Sequence, residues 1–398
     1  MKFSTRNTYR TTCNGMSRNS TFSIKRILSV ALFLSLLTPL FTSLKAQVGI
    51  TAVPFLQIEP DSRAAGMGNA SVAIADNASA IFWNPSGLAY QDGHQISITH
   101  ANWLPNFNTD LFYDYLVGKY TVEGIGTIGA HITFLNLGEQ QRRGPGGEDL
   151  GTFSSYEFAG GLSYGYRINK NWAVGSGFRF IYSNLASGTV GGQEISAGTS
   201  IGVDLSALYK TDKFDLGGRS AQVSAGFNLS NVGPGVQYSD QAQEDPLPTI
   251  LRVGWSYTME LDEAGYNTIT LAHDVSKIMA RTEITVTEND TLYQPMGVFE
   301  ALGNSWGSYE QFNGQEFETV SFAEQLMHGV GMEYWYDQKF AIRSGYYHEH
   351  EKNGDRQYVT LGAGLRYNLF GVDFSYIYSL AERHPLDGTM RFSVLLDF

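Results

Sequence analysis

From Gln95 to Phe398 the chain is a succession of segments in which apolar residues alternate with small or polar ones. This restricts the possible folds more than any other feature. In residues 155–168, Tyr156, Phe158, Leu162, Tyr164, Tyr166 and Ile168 fall on one face. Ser155, Glu157, Ala159, Gly161, Ser163, Gly165 and Arg167 fall on the other. Residues 172–183 and 199–210 repeat the pattern. Weaker versions run through Val223–Ala225–Phe227, Val253–Trp255, Ile269–Leu271, Val330–Met332, Phe340–Ile342, Leu361–Ala363 and Val372–Phe374. Three less regular segments lie near 95–103, 110–120 and 125–135, and the last occupies 390–398. Side chains of a strand alternate between its two faces, and alternation over ten or more residues exceeds most soluble strands while matching a tilted membrane strand. The count is fourteen, and an even number returns both ends of a barrel to one side.

The connections give an independent check. Long polar stretches at 136–153, 184–196, 232–248, 276–326, 349–356 and 381–389 alternate with short ones such as 169–171, 337–338 and 368–370. Only the first outer connection, 104–109, is short. With a periplasmic N-terminus, the long loops fall outside the cell, the asymmetry of outer-membrane barrels. The expected fold is an all-β membrane protein: a 14-stranded antiparallel transmembrane β-barrel over 95–398, with a large extracellular loop at 276–326. Charged residues at 17% and aromatics at 13% agree with it.

Lys25-Arg26 precede an apolar run at 27–41 and then Thr42-Ser43-Leu44-Lys45-Ala46-Gln47. A charged start and an apolar stretch too short to span a bilayer read as a signal peptide over 1–46, cut near Ala46; Met16 is an alternative start. The only cysteine, Cys13, lies in that segment, so disulfides and cysteine catalysis are excluded after cleavage. The remainder carries 20 basic and 39 acidic residues, a formal charge of −19. Nucleic acid needs a basic face, so it is not an expected partner.

Residues 47–94 form an N-terminal segment whose core, 58–90, does not alternate and is rich in Ala, Gly and Ser. Small residues let backbones approach closely, so this stretch is expected to be a luminal hatch. Arg167, Arg179, Asp204, Arg252, Arg343, Arg366, Asp373 and Arg391 occupy inward positions and would be costly in lipid. They are expected to pair with one another and with Asp61 and Arg63 of the hatch. The 276–326 arm holds Met296, Val298, Phe299 and Trp306 among acids including Glu283, Glu288, Asp290, Glu310 and Glu318. It reads either as a partner-binding arm or as a loop folded back over the barrel mouth.

No catalytic pattern emerges. G-x-S-x-G, H-E-x-x-H and paired C-x-x-C are all missing from the sequence. Gly66-Met67-Gly68-Asn69-Ala70-Ser71 is only the front half of a dinucleotide fingerprint and follows no strand. His348-Glu349-His350-Glu351 sits beside Lys352 and Arg356 and reads as a solvated charge run rather than a metal site. His273 and Asp274 occupy opposite faces of one strand. No enzymatic activity, cofactor or metal is expected.

Two motifs are more specific. Pro60-Asp61-Ser62-Arg63-Ala64-Ala65-Gly66-Met67-Gly68 and Asn84-Pro85-Ser86-Gly87 resemble the hatch signatures of the PorV family, outer-membrane barrels of the type IX secretion system. That family is itself related to the FadL fatty-acid channels, whose Asn-Pro-Ala turn is matched here with Ser for Ala, and the terminal Phe398 resembles a barrel-assembly signal. The resemblance implies a non-enzymatic protein that binds the C-terminal domain of secreted cargo. It would hand that cargo from the translocon to a sortase-like attachment complex, within outer-membrane lipid. It marks Pro60, Asp61, Arg63, Gly66, Met67, Gly68, Asn84 and Pro85 as the hatch motif. The alternative is a FadL-like transporter of hydrophobic small molecules, which needs an apolar pocket above the hatch and a lateral gap. Lipopolysaccharide deacylation would need a nucleophile at the lumen rim, and the sequence shows none.

Overall fold

Each alternating segment is a strand, because a residue pattern of period two presents one face to lipid and the other to the lumen. A computed structural model describes residues 46–47 and 51–398, apart from 108–110, 145, 187, 191–192, 240–243, 287–290, 313–315 and 382–383. The signal segment therefore lies outside the described residues except for Ala46. The barrel strands are β1 (His94–Asn102), β2 (Phe112–Val122), β3 (Gly126–Arg143), β4 (Asp149–Arg167), β5 (Trp172–Asn184), β6 (Gly198–Lys210) and β7 (Ser220–Val232). The second half contributes β8 (Ile250–Glu260), β9 (Asn267–Ile278), β10 (Met327–Tyr336), β11 (Phe340–His348), β12 (Gln357–Tyr367), β13 (Phe370–Ser379) and β14 (Met390–Asp397). Each pairs antiparallel with the next, and β14 closes on β1 from Gln95↔Asp397 to Ala101↔Arg391. The result is a closed 14-stranded barrel.

Burial follows the alternation. In β4, Leu162 and Tyr166 are exposed on the outer wall while Ala159 and Ser163 are buried. Among the described residues no helix is long and apolar enough to cross a membrane. The strands alone supply the outer apolar band.

Three expectations are corrected. Residues 136–153 are largely not a loop: β3 and β4 continue as a two-stranded ribbon past the barrel rim, pairing Glu139 with Ser154 and Arg143 with Asp149. Above the bilayer a ribbon has no lipid to face, so it shows no apolar alternation. Residues 276–326 are not structureless either. β9 runs to Ile278, and beyond it lie a hairpin of Thr282–Val286 with Thr291–Pro295, a helix Val298–Asn304 and a second hairpin of Tyr309–Phe312 with Phe317–Val320.

The third correction concerns direction. The segment before the hatch does not start at the short-turn end. Ala52 N–H donates to the Pro246 carbonyl in the β7–β8 connection at 3.0 Å, and Phe55, Leu56 and Ile58 pack with Tyr113, Leu135 and Leu247. Ala46 and Gln47 pair with Glu283 and Thr282 of the arm. The chain thus enters the lumen from the long-loop end, and reaches the short-turn end only where His94 pairs with Phe398.

Candidate functional site

Residues 59–91 fill the lumen as short helical turns: α1 (Ser62–Ala65), α2 (Ala80–Trp83) and a 3-10 turn from Pro85 to Tyr90. Asp61 caps α1. Its carboxylate accepts from the Ala64 amide at 3.0 Å and from the Trp83 indole at 2.8 Å. Burial pushes this carboxyl up from its ordinary range, against the pull of those two donors and Arg63. Asp61 therefore serves as a cap, and its expected pairing with lumen arginines is not made. Asn84 caps the second turn. Its amide also donates to Val72 O at 2.8 Å and to Ala207 O of the wall at 3.1 Å, and Pro85 starts the turn where a missing N–H costs nothing.

Arg63 carries the main electrostatic link. Its guanidinium grips Glu333 of β10 bidentately at 2.7 and 2.8 Å and also pairs with Asp76 of the hatch. Glu333 accepts in addition from Arg343 at 2.6 Å, Arg343 donates to Asp373 at 2.8 Å, and Asp373 accepts from Arg366 at 2.6 Å. Six alternating charges thus join hatch to wall. Elsewhere Arg391 reaches Glu59 at 3.1 Å and Arg179 pairs with Asp204. Arg252 lies over the Phe82 and Trp83 rings, whereas Arg167 donates to the Ala89 carbonyl. Charge at inward positions was legible in the sequence; the partners Glu59, Asp76 and Glu333 were not singled out. Asp274 of β9, considered in the sequence only beside His273, accepts from the Ser71 and Val72 amides, both at 2.7 Å.

Gly66, Met67 and Gly68 lie against the wall backbone. A Cβ on Gly66 would sit 3.1 Å from Gly362 Cα, and Met67 is buried beside Ala70, Ile74 and Ala272. Gly68 has φ +60 and donates to Thr360 Oγ1 at 3.0 Å. The wall answers with its own glycines. A Cβ at Gly345 would stand 2.1 Å from Gly68 N, and one at Gly175 would stand 2.2 Å from Ser86 N. Gly165, Gly226, Gly329 and Gly331 meet the hatch backbone in the same way, and Gly129 meets the Ile81 and Leu88 side chains. These inward glycines are the hatch footprint.

Voids border the hatch toward both ends of the barrel. Toward the long-loop end a void of about 30 Å³ lies beside Glu59, Asn69, Arg252 and Asp274. Toward the short-turn end a polar cup of about 340 Å³ is bounded by Arg63, Asp76, Glu333 and Trp335.

At the long-loop end the arm is seated on one side chain. Buried Gln325 accepts from Lys277 at 2.5 Å and from Arg281 at 2.6 Å, and its amide donates to Gly307, Val320 and Ser321 carbonyls. The Ser321 amide and hydroxyl hold the neighbouring Glu324 carboxyl down at about 2. Met296 is buried against Ala301, and with Val298 it lines a cavity of about 520 Å³ between the arm and the β7–β8 connection. Phe299 and Trp306 point to solvent, 81% and 50% exposed. Of the His348–Glu351 run, Glu349 pairs with Arg356 and His350 Nδ1 accepts from the Lys352 amide.

A sequence model of the family described as Type IX secretion system protein PorV matches residues 42–285. The chain belongs to the PorV family. It is an outer-membrane β-barrel of that kind, a component of the type IX secretion machinery. Similar solved structures include the toluene transporter TodX of Pseudomonas putida, 12% identical with a TM-score of 0.47, covering 85% of this chain and 96% of that one. The toluene transporter TbuX of Ralstonia pickettii is 14% identical, TM-score 0.47, covering 86% and 98%. A FadL homologue of Pseudomonas aeruginosa is 11% identical, TM-score 0.41, covering 88% and 100%. No curated protein matches the chain.

Proposed function

We propose that this PorV-family barrel is a non-enzymatic carrier within type IX secretion. It binds the C-terminal domain of secreted cargo and passes it from the translocon to the sortase-like surface-attachment complex. The observation that carries this reading is the sealed lumen. A barrel whose hatch rests backbone to backbone on wall glycines offers no conduit, so its working surface is the long-loop end, proposed to face outside. There the arm presents Phe299 and Trp306, large aromatics of the kind enriched in protein interfaces. The hatch motif Pro60, Asp61, Arg63, Gly66, Met67, Gly68, Asn84 and Pro85 acts as the seal.

A FadL-like channel finds less support. The void that touches the hatch toward the long-loop end is about 30 Å³ and is lined by Glu59, Arg252, Asp274 and Arg356. The larger apolar cavity of about 520 Å³ lies between the arm and the β7–β8 connection and has no hatch residue in its lining. The one shift in register between β6 and β7, from Leu229 to Val232, is filled by Asn231, which donates to Asp204 at 2.8 Å and to Pro248 O at 3.0 Å.

Gentle extraction from its own outer membrane, with a tag in a long loop, tests the proposal. Recovery with secreted proteins sharing a C-terminal β-domain, and with translocon or attachment subunits, is the expected outcome. Shortening 279–326 should remove those partners while the barrel still assembles. Recovery alone with a bound hydrophobic small molecule would overturn the carrier reading and leave the fold standing.

A further inference from the structure

We infer that the cavity between the arm and the β7–β8 connection is a peptide-recognition site. Its ligand is an extended protein segment carrying an apolar anchor residue next to lysine or arginine. The inference rests on the reading that the long-loop end is the partner-facing end.

The first argument is volume. About 520 Å³ falls within the roughly 300–1,000 Å³ range of ligand pockets and far above the water-sized voids of packed interiors. Its walls are apolar and adaptable: Pro234, Pro246, Leu247, Met279, Met296 and Val298. Unbranched methionines conform to differently shaped side chains, which suits a site that receives more than one sequence. A Cβ at Gly297, on the same wall, would meet nothing within 4 Å.

The second argument is the sign of the charge around it. Glu244 lines the cavity and is exposed, and Glu300 is exposed two positions beyond Val298. Residues 282–326 contain eight acids and no lysine, arginine or histidine. Lys277 and Arg281 are 2% and 1% exposed and both donate to Gln325 inside the arm, so neither presents its charged head to an incoming ligand. A fatty acid or lipid phosphate would bring like charge to Glu244 and Glu300. A basic flank gains attraction there, and electrostatic complementarity of this kind selects partners and speeds their encounter. Apolar walls under an acidic rim therefore fit an apolar anchor beside a base.

A photo-crosslinking residue at Val298, in the full-length protein in its own cells, reports what enters the cavity; one at Phe299 reports what passes its mouth. Mass spectrometry of the crosslinked peptide should show an apolar residue flanked by Lys or Arg. The Val298 crosslink should fall at least tenfold in Ala301→Trp, which fills the cavity. It should also fall at least tenfold in Glu244→Lys with Glu300→Lys, whose barrel assembly is checked separately by heat-shifted gel mobility. Crosslinks to lipid only, to a segment flanked by Asp or Glu, or to nothing at either position would overturn the inference. A basic-flanked segment from a protein unrelated to secretion would uphold the site and refute the carrier role.

Discussion

Replacing Glu333 with Gln removes one charge from the centre of the hatch–wall ion chain. Its carboxylate is 1% exposed and accepts three N–H groups at 2.6 to 2.8 Å, two from Arg63 and one from Arg343. Removing one partner of a buried pair costs about 3–5 kcal/mol, because the remaining charge stays buried without compensation. Two features lower the figure here. Arg343 keeps Asp373, and Arg63 keeps Asp76, whose side chain is 46% exposed and partly screened. The expected loss for Glu333→Gln is therefore about 3 kcal/mol, the bottom of that range. Arg63→Leu should cost a similar amount, since it strands Glu333 on Arg343 alone. The double variant Glu333→Gln with Arg63→Leu removes both charges, and its loss should be smaller than the sum of the singles by about 2 kcal/mol. Urea unfolding of the barrel in lipid vesicles, followed by tryptophan fluorescence, measures all three. Single losses below about 1 kcal/mol, or additivity within about 0.5 kcal/mol, would refute the claim that this ion chain holds the hatch.

Gly345→Ala forces a Cβ to within 2.1 Å of Gly68 N, so it should destabilise the seated hatch by about 1–3 kcal/mol and expose it to protease. Gly297→Ala meets open space and should stay within about 0.5 kcal/mol in the same assay. Gln325→Leu takes the shared acceptor from Lys277 and Arg281 at about 1–3 kcal/mol each, so the arm should become protease-sensitive on intact cells with the barrel transition unchanged. An epitope inserted after Gln47 should be reached by antibody on intact cells, and one in the Asp337–Gln338 turn only after permeabilisation; both epitopes reached from the same side would refute the threading direction.

The strands, their lipid faces and the segregation of loop lengths were all legible, because lipid imposes a period-two constraint on every spanning segment. What was not legible depends on pairs remote in sequence. Glu333 looks like any acid at an inward position; nothing local says that its partner lies 270 residues earlier in Arg63. The footprint glycines carry a signal in hindsight. Gly329, Gly331, Gly345 and Gly362 all fall on inward positions of adjacent strands, where curvature alone does not require that parity. The ribbon at 137–154 lacked a signal because both its faces meet water. The threading direction left no trace, since Phe55 and Leu56 would be apolar whichever end they approached.

That direction bears on how the protein works. A hatch hung from the short-turn end could swing into the periplasm and clear the lumen. Here the preceding segment is anchored at the opposite end, by Ala52 on Pro246 and by Phe55 and Leu56 under Leu247. The hatch is continuous with β1 at the short-turn end, so it is held from both sides of the barrel. Clearing the lumen would mean breaking the Arg63–Glu333 link, the Asp274 contacts to Ser71 and Val72, and the glycine contacts together. Each is buried or part-buried, and their costs add where the sites are independent. A machine that transports substrate through its own lumen needs a plug that yields at modest cost. This plug is built against yielding, which supports the proposal that partners are exchanged at the long-loop end, with the barrel serving as a rigid mount.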